Sequence, residues 1–315
     1  MSLADRTPPT PEEYETYRER FSNWGRWGPD DTLGTLNHIT PEVRRHALTL
    51  PQQGRTISLS LVITKKPRSS MESGFEQEMR VMEMGSGDRI SINFHGWTTT
   101  HLDALCHIFA GPENALYNGR PASDVTLDGA ASGSVEPYHD GIVTRAVLYD
   151  VPRYRGTDFV TIAAPVHGWE LQDIAAAQGV EPMPGDAVVV RSGANAFYAS
   201  RPDFEMGMFN EMPGVHGSAI EFLYDTDASV LVWDLLDAGQ QPLGYGLQRP
   251  DGEAIRVPIH EIVIPYMGMP LLDNANLDDL ADACAEAGQY EFLLMVAPLR
   301  VHGGTGSPVN PIAVL

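Results

Sequence analysis

The sequence predicts an α+β protein, a mixed sheet with helices packed on it behind a helical N-terminal extension, and three observations carry that expectation. The segment from 57 to 94 reads as strands with no helix among them, whereas from 142 onward strand and helix signals alternate. Of the 315 residues, 43% are hydrophobic, which is ample for a sizeable packed core. Because strict βαβ alternation is missing from the first half, a doubly wound parallel sheet is disfavoured.

Residues 1–52 form the expected extension and 53–315 the main domain. An acidic, aromatic-bearing stretch runs from Pro11 to Phe21, followed by the turn-rich WGRWGPDDTLGTLNHIT and by PEVRRHALTL. Thr40, Pro41 and Glu42 together make a helix start, with a capping hydroxyl, a proline at the first helical position and an acid at the positive helix end. ISLSLVI at 57–63, RVMEM at 80–84 and ISINF at 90–94 carry β-branched and apolar residues between Gly, Ser and Pro clusters, and are expected as strands. After a long glycine- and proline-containing connection, IVTRAVLYDV at 142–151 is a strand. HGWELQDIAAAQG is a helix stopped by Gly179. AVVVRSG at 187–193 and SVLVWDL read as buried strands around a helix HGSAIEFLYDT. The chain closes with a mixed segment VPIHEIVIPYMGMPLLDN, a helix LDDLADACAEAG, a strand YEFLLMVAPL and the turn-rich RVHGGTGSPVNPIAVL.

With 42 acidic against 21 basic side chains the net charge is −21, which repels phosphate backbones and anionic membrane surfaces, so neither nucleic acid nor a membrane is an expected partner. The two cysteines, Cys106 and Cys284, offer no C-x-x-C spacing, and a reducing cytoplasm is the expected setting. The N-terminus lacks the basic start and apolar run of a secretory signal.

Chemistry concentrates in FHGWTTTHLDALCHIF at 94–109, where His95, His101 and His107 fall within thirteen residues. In an extended chain, residues two apart share a face, so His101 and Asp103 project together; His95 and His107 have the same parity and Cys106 the opposite one. Imidazole and carboxylate converging from one strand suit Zn²⁺ or Mn²⁺, and serve equally as an ordinary hydrogen-bonded pair.

THLDALCH at 100–107 resembles most of the H-x-G-T-H-x-D-x-P-x-H signature of the cyclase family of metal-dependent hydrolases, which holds kynurenine formamidases and isatin hydrolases. Further matches to its longer members follow in order at WGPDDTLGTLN (27–37), LYNG (116–119), VPIHEIV with MGMPLLDN (257–274) and EFLLMVAPLRVHGGTGSPVNPIAV (291–314). The resemblance implies a swivelling β/β/α fold, a Zn or Mn cofactor, a small-molecule substrate and a homodimer or homotetramer. It makes His101 and Asp103 metal ligands and His107 a second-metal ligand or acid/base group, and it aligns His260 and Asp273 with the family's later His and Glu. The signature's first His falls on Trp97, which cannot ligate, so that ligand is either missing or supplied by His95. Leu105 replaces the signature's Pro.

Read without the resemblance, His260 is a structural histidine and Asp273, beside Asn274, a turn or cap residue. His216 precedes a helix, where it either caps or faces a pocket; Trp97, His216 and Tyr117 are the candidate substrate contacts, and Asp234 is a candidate support for a ligating histidine. GGTGSPVNP lacks the Lys-Ser/Thr of a phosphate loop, and MGSGD is out of register for a nucleophile elbow, which leaves a serine-hydrolase mechanism unsupported. The expected activity is hydrolysis of a small amide, formamide or lactone by metal-activated water, with His107 or His260 moving protons. Two alternatives stand beside it: a cyclase or dehydratase using the same metal, and a metal-free binding module, which Trp97 favours.

Overall fold

The computed structural model describes residues 3–65, 74–109, 111, 114–204, 212–238 and 255–315; residues 110 and 112–113 of the expected connection after the histidine cluster lie outside these. Short helices open the chain. In α1 (Pro11–Glu15) the Thr10 hydroxyl accepts from the Glu13 amide while the Glu13 carboxylate accepts from the Thr10 amide, a capping box. After α2 (Tyr17–Arg20), α3 (Pro41–Ala47) starts at Thr40 with Pro41 in its first turn, as the sequence indicates. Tyr14, Tyr17 and Phe21 pack into the main core.

Strands β1 (Thr56–Ser58), β2 (Phe75–Met82), β3 (Gly85–Ile92) and β4 (His101–Asp103) follow. Two minimal ladders join β5 (Ala115–Leu116) to β6 (Arg120–Pro121) and β7 (Val125–Thr126) to β8 (Gly129–Ala130). The remainder alternates: β9 (Ile142–Asp150), α4 (Val151–Arg155), α5 (Gly168–Gln178), β10 (Ala187–Arg191), α6 (Ala194–Ser200), α7 (Ala219–Asp225), β11 (Val230–Trp233), α8 (Pro258–Ile262), β12 (Leu271–Asp273), α9 (Asp278–Ala287), β13 (Glu291–Val296), β14 (Gly306–Pro308) and β15 (Ile312–Val314). Among the described residues no helix is long and apolar enough to cross a membrane.

Nine strands form one mixed sheet in the order β1-β15-β13-β9-β10-β11-β12-β4-β14. β9 through β12 run parallel, and the flanking pairs are antiparallel. Both faces are buried, which is why β9, β10 and β11 read as continuous apolar runs. Val147, Tyr149, Val188, Val190, Leu231 and Trp233 face one core, with α5 and α7. Ala146, Leu148, Val189, Val230 and Val232 face the other, with α9.

Two local expectations change. The strands placed at 80–84 and 90–94 are instead the arms of one hairpin, β2–β3, that turns after Met82. Of the run 57–63 only the start is sheet, because Leu59 donates its amide to Pro311 O and Leu61 to the Thr100 hydroxyl, which leads the chain off the ladder.

The segments 27–37 and 257–274 meet at two glycines. Gly34 has φ 57°, and a Cβ there would lie 1.8 Å from the Gly268 carbonyl oxygen, which also accepts from the Thr35 amide at 2.8 Å. Both the backbone conformation and the space exclude a side chain. Gly34→Ala is therefore expected to cost about 3 kcal/mol or more, and a denaturant titration in which the midpoint is unchanged would contradict that close approach.

Candidate metal centre

β4 occupies the sheet beside β12 and β14, with His101 opposite Asp273 and Asp103 opposite Gly306. Leu102 points into the second core. The alternation of a strand therefore sends His101 and Asp103 to the other face, beside Trp233 and Asp273. Asp103 is fully buried, and His101 is 1% exposed.

The chain reaches this face again through His95. Gly96 has φ 135°, a conformation that L side chains rarely adopt, and it bends the strap between β3 and β4. Asn274, itself left-handed at φ 55°, donates its amide to Gly96 O at 2.6 Å and Thr99 O at 3.0 Å, and its own carbonyl accepts from the Thr100 hydroxyl at 2.7 Å. So clamped, the strap places His95 Nδ1 2.9 Å from Asp103 Oδ1. His95 Nε2 lies 2.9 Å from Thr305 Oγ1, in the glycine-rich C-terminal loop, and its ring stacks on that of His107 at 3.9 Å and 4°.

Around Asp103 the remaining imidazoles close in. His101 Nε2 is 3.3 Å from Oδ1, while His260 Nε2 and His107 Nε2 are 3.7 and 3.8 Å from Oδ2. His101 Nδ1 lies 2.8 Å from Thr99 O, so its other nitrogen is the one aimed at the carboxylates. Asp273, although one methylene shorter than the Glu of the resembled family, brings Oδ2 within 3.3 Å of His260 Nε2. Its Oδ1 accepts from the fully buried Trp233 indole at 2.5 Å. Two triads, His95–His101–Asp103 and Asp103–His260–Asp273, each bring one ligand atom per residue within 4.8 Å of the others.

The electrostatics follow from this crowding. Burial opposes the charge on His101, but Asp103 and Asp273 outweigh it and hold its pKa up to about 8. At His260 burial is likewise overcome, by Asp237 and Asp273, and the pKa stands well above the ordinary value. Burial works against ionised Asp103 too, yet the surrounding imidazoles hold it well below the usual carboxylate range. For His107 burial prevails and pushes the pKa down to about 4, so its ring is neutral. Neither Asp103 oxygen, nor His95 Nδ1, makes a hydrogen bond of acceptable geometry among the described residues. Buried polar atoms that converge without bonding each other suit a cation between them, because such atoms are costly to leave unsatisfied. The N/O donor set suits a divalent cation.

A cavity of about 490 Å³ opens on the cluster, lined among the described residues by His95, Trp97, His101, His107, His260 and Asp273 together with Ile108, Met212, Leu236, Asp237, Arg256 and Val257. The structure thus brings His95, Trp97, His101, Asp103, His107, His260 and Asp273 together. It places His216 and Tyr117 elsewhere. His216 Nδ1 accepts from the Ser218 amide at 3.0 Å, and its ring lies against His167. Tyr117 donates its hydroxyl to Asp31 Oδ2 at 3.0 Å and packs against Gly268. Asp234 accepts from the amides of Ser192, Gly193 and Ala194, so it fixes the start of α6. The carboxylate that supports a cluster histidine is Asp237, three residues further on, with Oδ2 2.5 Å from His260 Nδ1 and Oδ1 accepting from the Ile259 amide. Sequence reasoning missed it, since WDLLD offers two acids and no spacing rule chooses between them.

Comparison with known proteins places the chain in a class. The family described as "Putative cyclase" matches residues 27–239, and the chain belongs to this cyclase family. A crystal structure described as a novel cyclase superposes with TM-score 0.79 at 27% identity, covering 95% of this chain and 99% of that one. An isatin hydrolase A from Ralstonia solanacearum gives 0.57 at 19% identity, covering 82% and 91%. A further isatin hydrolase, bound to the product analogue thioisatinate, gives 0.55 at 16%, covering 83% and 92%. The last two show the shared fold. No curated protein matches the chain.

His95 stands where a bend, rather than the signature's spacing, delivers an imidazole. His95→Ala is expected to lower metal affinity about 10- to 100-fold while leaving the fold intact; unchanged metal content in elemental analysis under limiting metal would make His95 a bystander.

Proposed function

We propose that this protein is a divalent-metal-dependent hydrolase of a small amide, formamide or lactone. One observation carries the reading: a fully buried carboxylate, Asp103, whose two oxygens are ringed by four imidazoles and satisfied by none of them. His95, His101 and Asp103 would hold the cation, with Asp273 and His260 completing its surroundings. A bound Zn²⁺ or Mn²⁺ supplies a lowered pKa for water and polarisation of a substrate carbonyl. His107, neutral and half-buried at the cavity wall, is placed to accept a proton. Asp237 keeps a proton on His260 Nδ1, so the proton the ring can give up is the one on Nε2, which is turned toward Asp103 and Asp273. The Trp97, Ile108, Met212, Leu236 and Val257 walls suit an aromatic or cyclic substrate and exclude bulk water.

The isatin hydrolases that share the fold support this choice of bond class, and the acidic chain is expected to work as a homodimer or homotetramer. Protein purified without chelator should contain, or take up on titration, Zn²⁺ or Mn²⁺ near stoichiometry. It should release acid from some member of a panel of N-formyl aromatics, cyclic amides and lactones. A protein that binds neither ion sinks the proposal, and turnover without proton release points to a cyclase or dehydratase instead.

The pH dependence of metal uptake has a definite sign. His101 must be neutral to ligate, and beside Asp103 and Asp273 its pKa stands at about 8. Protons therefore compete with the cation below that value. Affinity should rise at least about tenfold per pH unit up to roughly pH 8, and calorimetry in buffers of different ionisation enthalpy should report protons released on binding at neutral pH.

A further inference from the structure

Four successive residues of the glycine-rich C-terminal loop are tied to the segments around the cluster. Gly303 O accepts from the Ala130 amide at 2.9 Å, Gly304 O from the Val135 amide at 2.9 Å and Thr305 O from the Ala104 amide at 3.0 Å, while Gly306 pairs with Asp103 between β14 and β4. Gly306 lets the loop come this close: a Cβ there would stand 2.3 Å from Leu102 O and 3.1 Å from His95 Cε1. The backbone of Thr305 is thus anchored to the residue after Asp103, and its hydroxyl oxygen lies 2.9 Å from His95 Nε2.

A neutral imidazole offers a lone pair through one nitrogen only while the other carries the proton. His95 Nδ1 is the nitrogen beside Asp103, 2.9 Å from Oδ1, and it is buried without a hydrogen bond of acceptable geometry among the described residues. If that nitrogen meets the cation, the proton of the ring belongs on Nε2, where it needs an acceptor. We propose that Thr305 is a positioning residue for the metal centre: its Oγ1 accepts the His95 Nε2 proton and so presents the Nδ1 lone pair to a cation beside Asp103. This role rests on the reading of His95 as a metal ligand, and it adds a residue 210 positions further along the chain.

The other contacts of His95 leave this choice open. Gly96 and Asn274 set the path of the backbone after it, and the stack on His107 sets the plane of its ring. Turning the ring by half a turn about Cβ–Cγ keeps that plane but exchanges Nδ1 with Cδ2 and Nε2 with Cε1. Only one of the two settings puts a nitrogen at Asp103 and a nitrogen at Thr305 together. The hydroxyl therefore fixes both the setting of the ring and the nitrogen that holds its proton, which is how a partner behind a ligating histidine acts.

Titration of the full chain with Zn²⁺ against a chromogenic chelator tests this without turnover. Thr305→Val, which keeps the volume and removes the acceptor, should weaken Zn²⁺ binding about 10-fold or more with unchanged circular dichroism. Thr305→Ser, which keeps the hydroxyl, should bind Zn²⁺ like wild type. In a His95→Ala background Thr305→Val should cost nothing further. Wild type that binds no Zn²⁺, or a His95→Ala variant that binds it undiminished, overturns the ligand reading and Thr305 with it. If His95→Ala weakens binding and Thr305→Val does not, or if Thr305→Val costs the same with and without His95, the positioning role alone is overturned. Imidazole nitrogen NMR of unsubstituted, Zn²⁺-loaded protein gives a second readout that a purely structural role would not set: the His95 proton should reside on Nε2 and exchange slowly with water, and a proton on Nδ1 would reject the assignment.

Discussion

Asp103→Asn is expected to give a folded protein that holds no metal and has lost at least about a thousandfold in turnover. The side chain is fully buried, and the four imidazole nitrogens that face it, from His95 at 2.9 Å to His107 at 3.8 Å, have in it their shared anion. An amide of nearly the same volume leaves no cavity, so the usual cost of large-to-small core changes does not arise. The buried-charge penalty is also limited. When the carboxylate is removed, His101 loses the group that most holds its proton and becomes neutral at lower pH, while His260 keeps Asp237 and Asp273 beside it, so no cation is left unpaired in the core. About 1–2 kcal/mol of stability is a reasonable loss for the exchanged contacts. Function has no such escape, because an amide oxygen cannot supply the negative charge that a dication between three neutral imidazoles requires. Elemental analysis beside thermal denaturation checks both halves. Stoichiometric metal in the folded variant would remove Asp103 from the ligand set.

Part of this site was legible in the chain and part was not, for physical reasons that differ by residue. Alternation along a strand has period two, so His101 and Asp103 could be assigned to one face before any fold was known, and the structure places them so, with Leu102 on the opposite face. The buried runs of β10 and β11 were readable for the same reason, since a sheet covered on both sides needs apolar residues throughout. His95 was not so readable. Its approach depends on the bend at Gly96 and on the Asn274 clamp, which come from contacts with a segment about 180 residues away in sequence. Trp97, at the position of a family ligand, keeps to the cavity wall while the imidazole two residues earlier occupies the cluster. His216 and Tyr117 satisfied local rules for a pocket residue, yet their partners, Ser218 and Asp31, hold them in the scaffold. Asp31 also accepts from the amides of Leu33 and Gly34, so LYNG and WGPDDTLG are tied through that one carboxylate to the glycine contact that seats them.

Asp237→Asn should separate proton movement from metal binding. Asp237 lies outside the His95–His101–Asp103 group; it holds His260 Nδ1 and the Ile259 amide at once, fixing ring and backbone together at the start of α8. The asparagine can keep its oxygen on the Ile259 amide, but then it offers an N–H to His260 Nδ1, where the carboxylate had accepted one. The ring must then be neutral with its one proton fixed on Nε2 between Asp103 and Asp273, so the nitrogen that could give up a proton no longer can. It also loses the charge that, with Asp273, holds its pKa up against burial. A misplaced proton of this kind should lower kcat about 10- to 100-fold, equivalent to roughly 1.4 to 2.7 kcal/mol in the barrier. KM and metal content at saturating metal should stay near those of wild type. Loss of metal along with kcat would make His260 a ligand before it is a proton carrier. An unchanged kcat and pH profile would show that the proton moves through His107 alone.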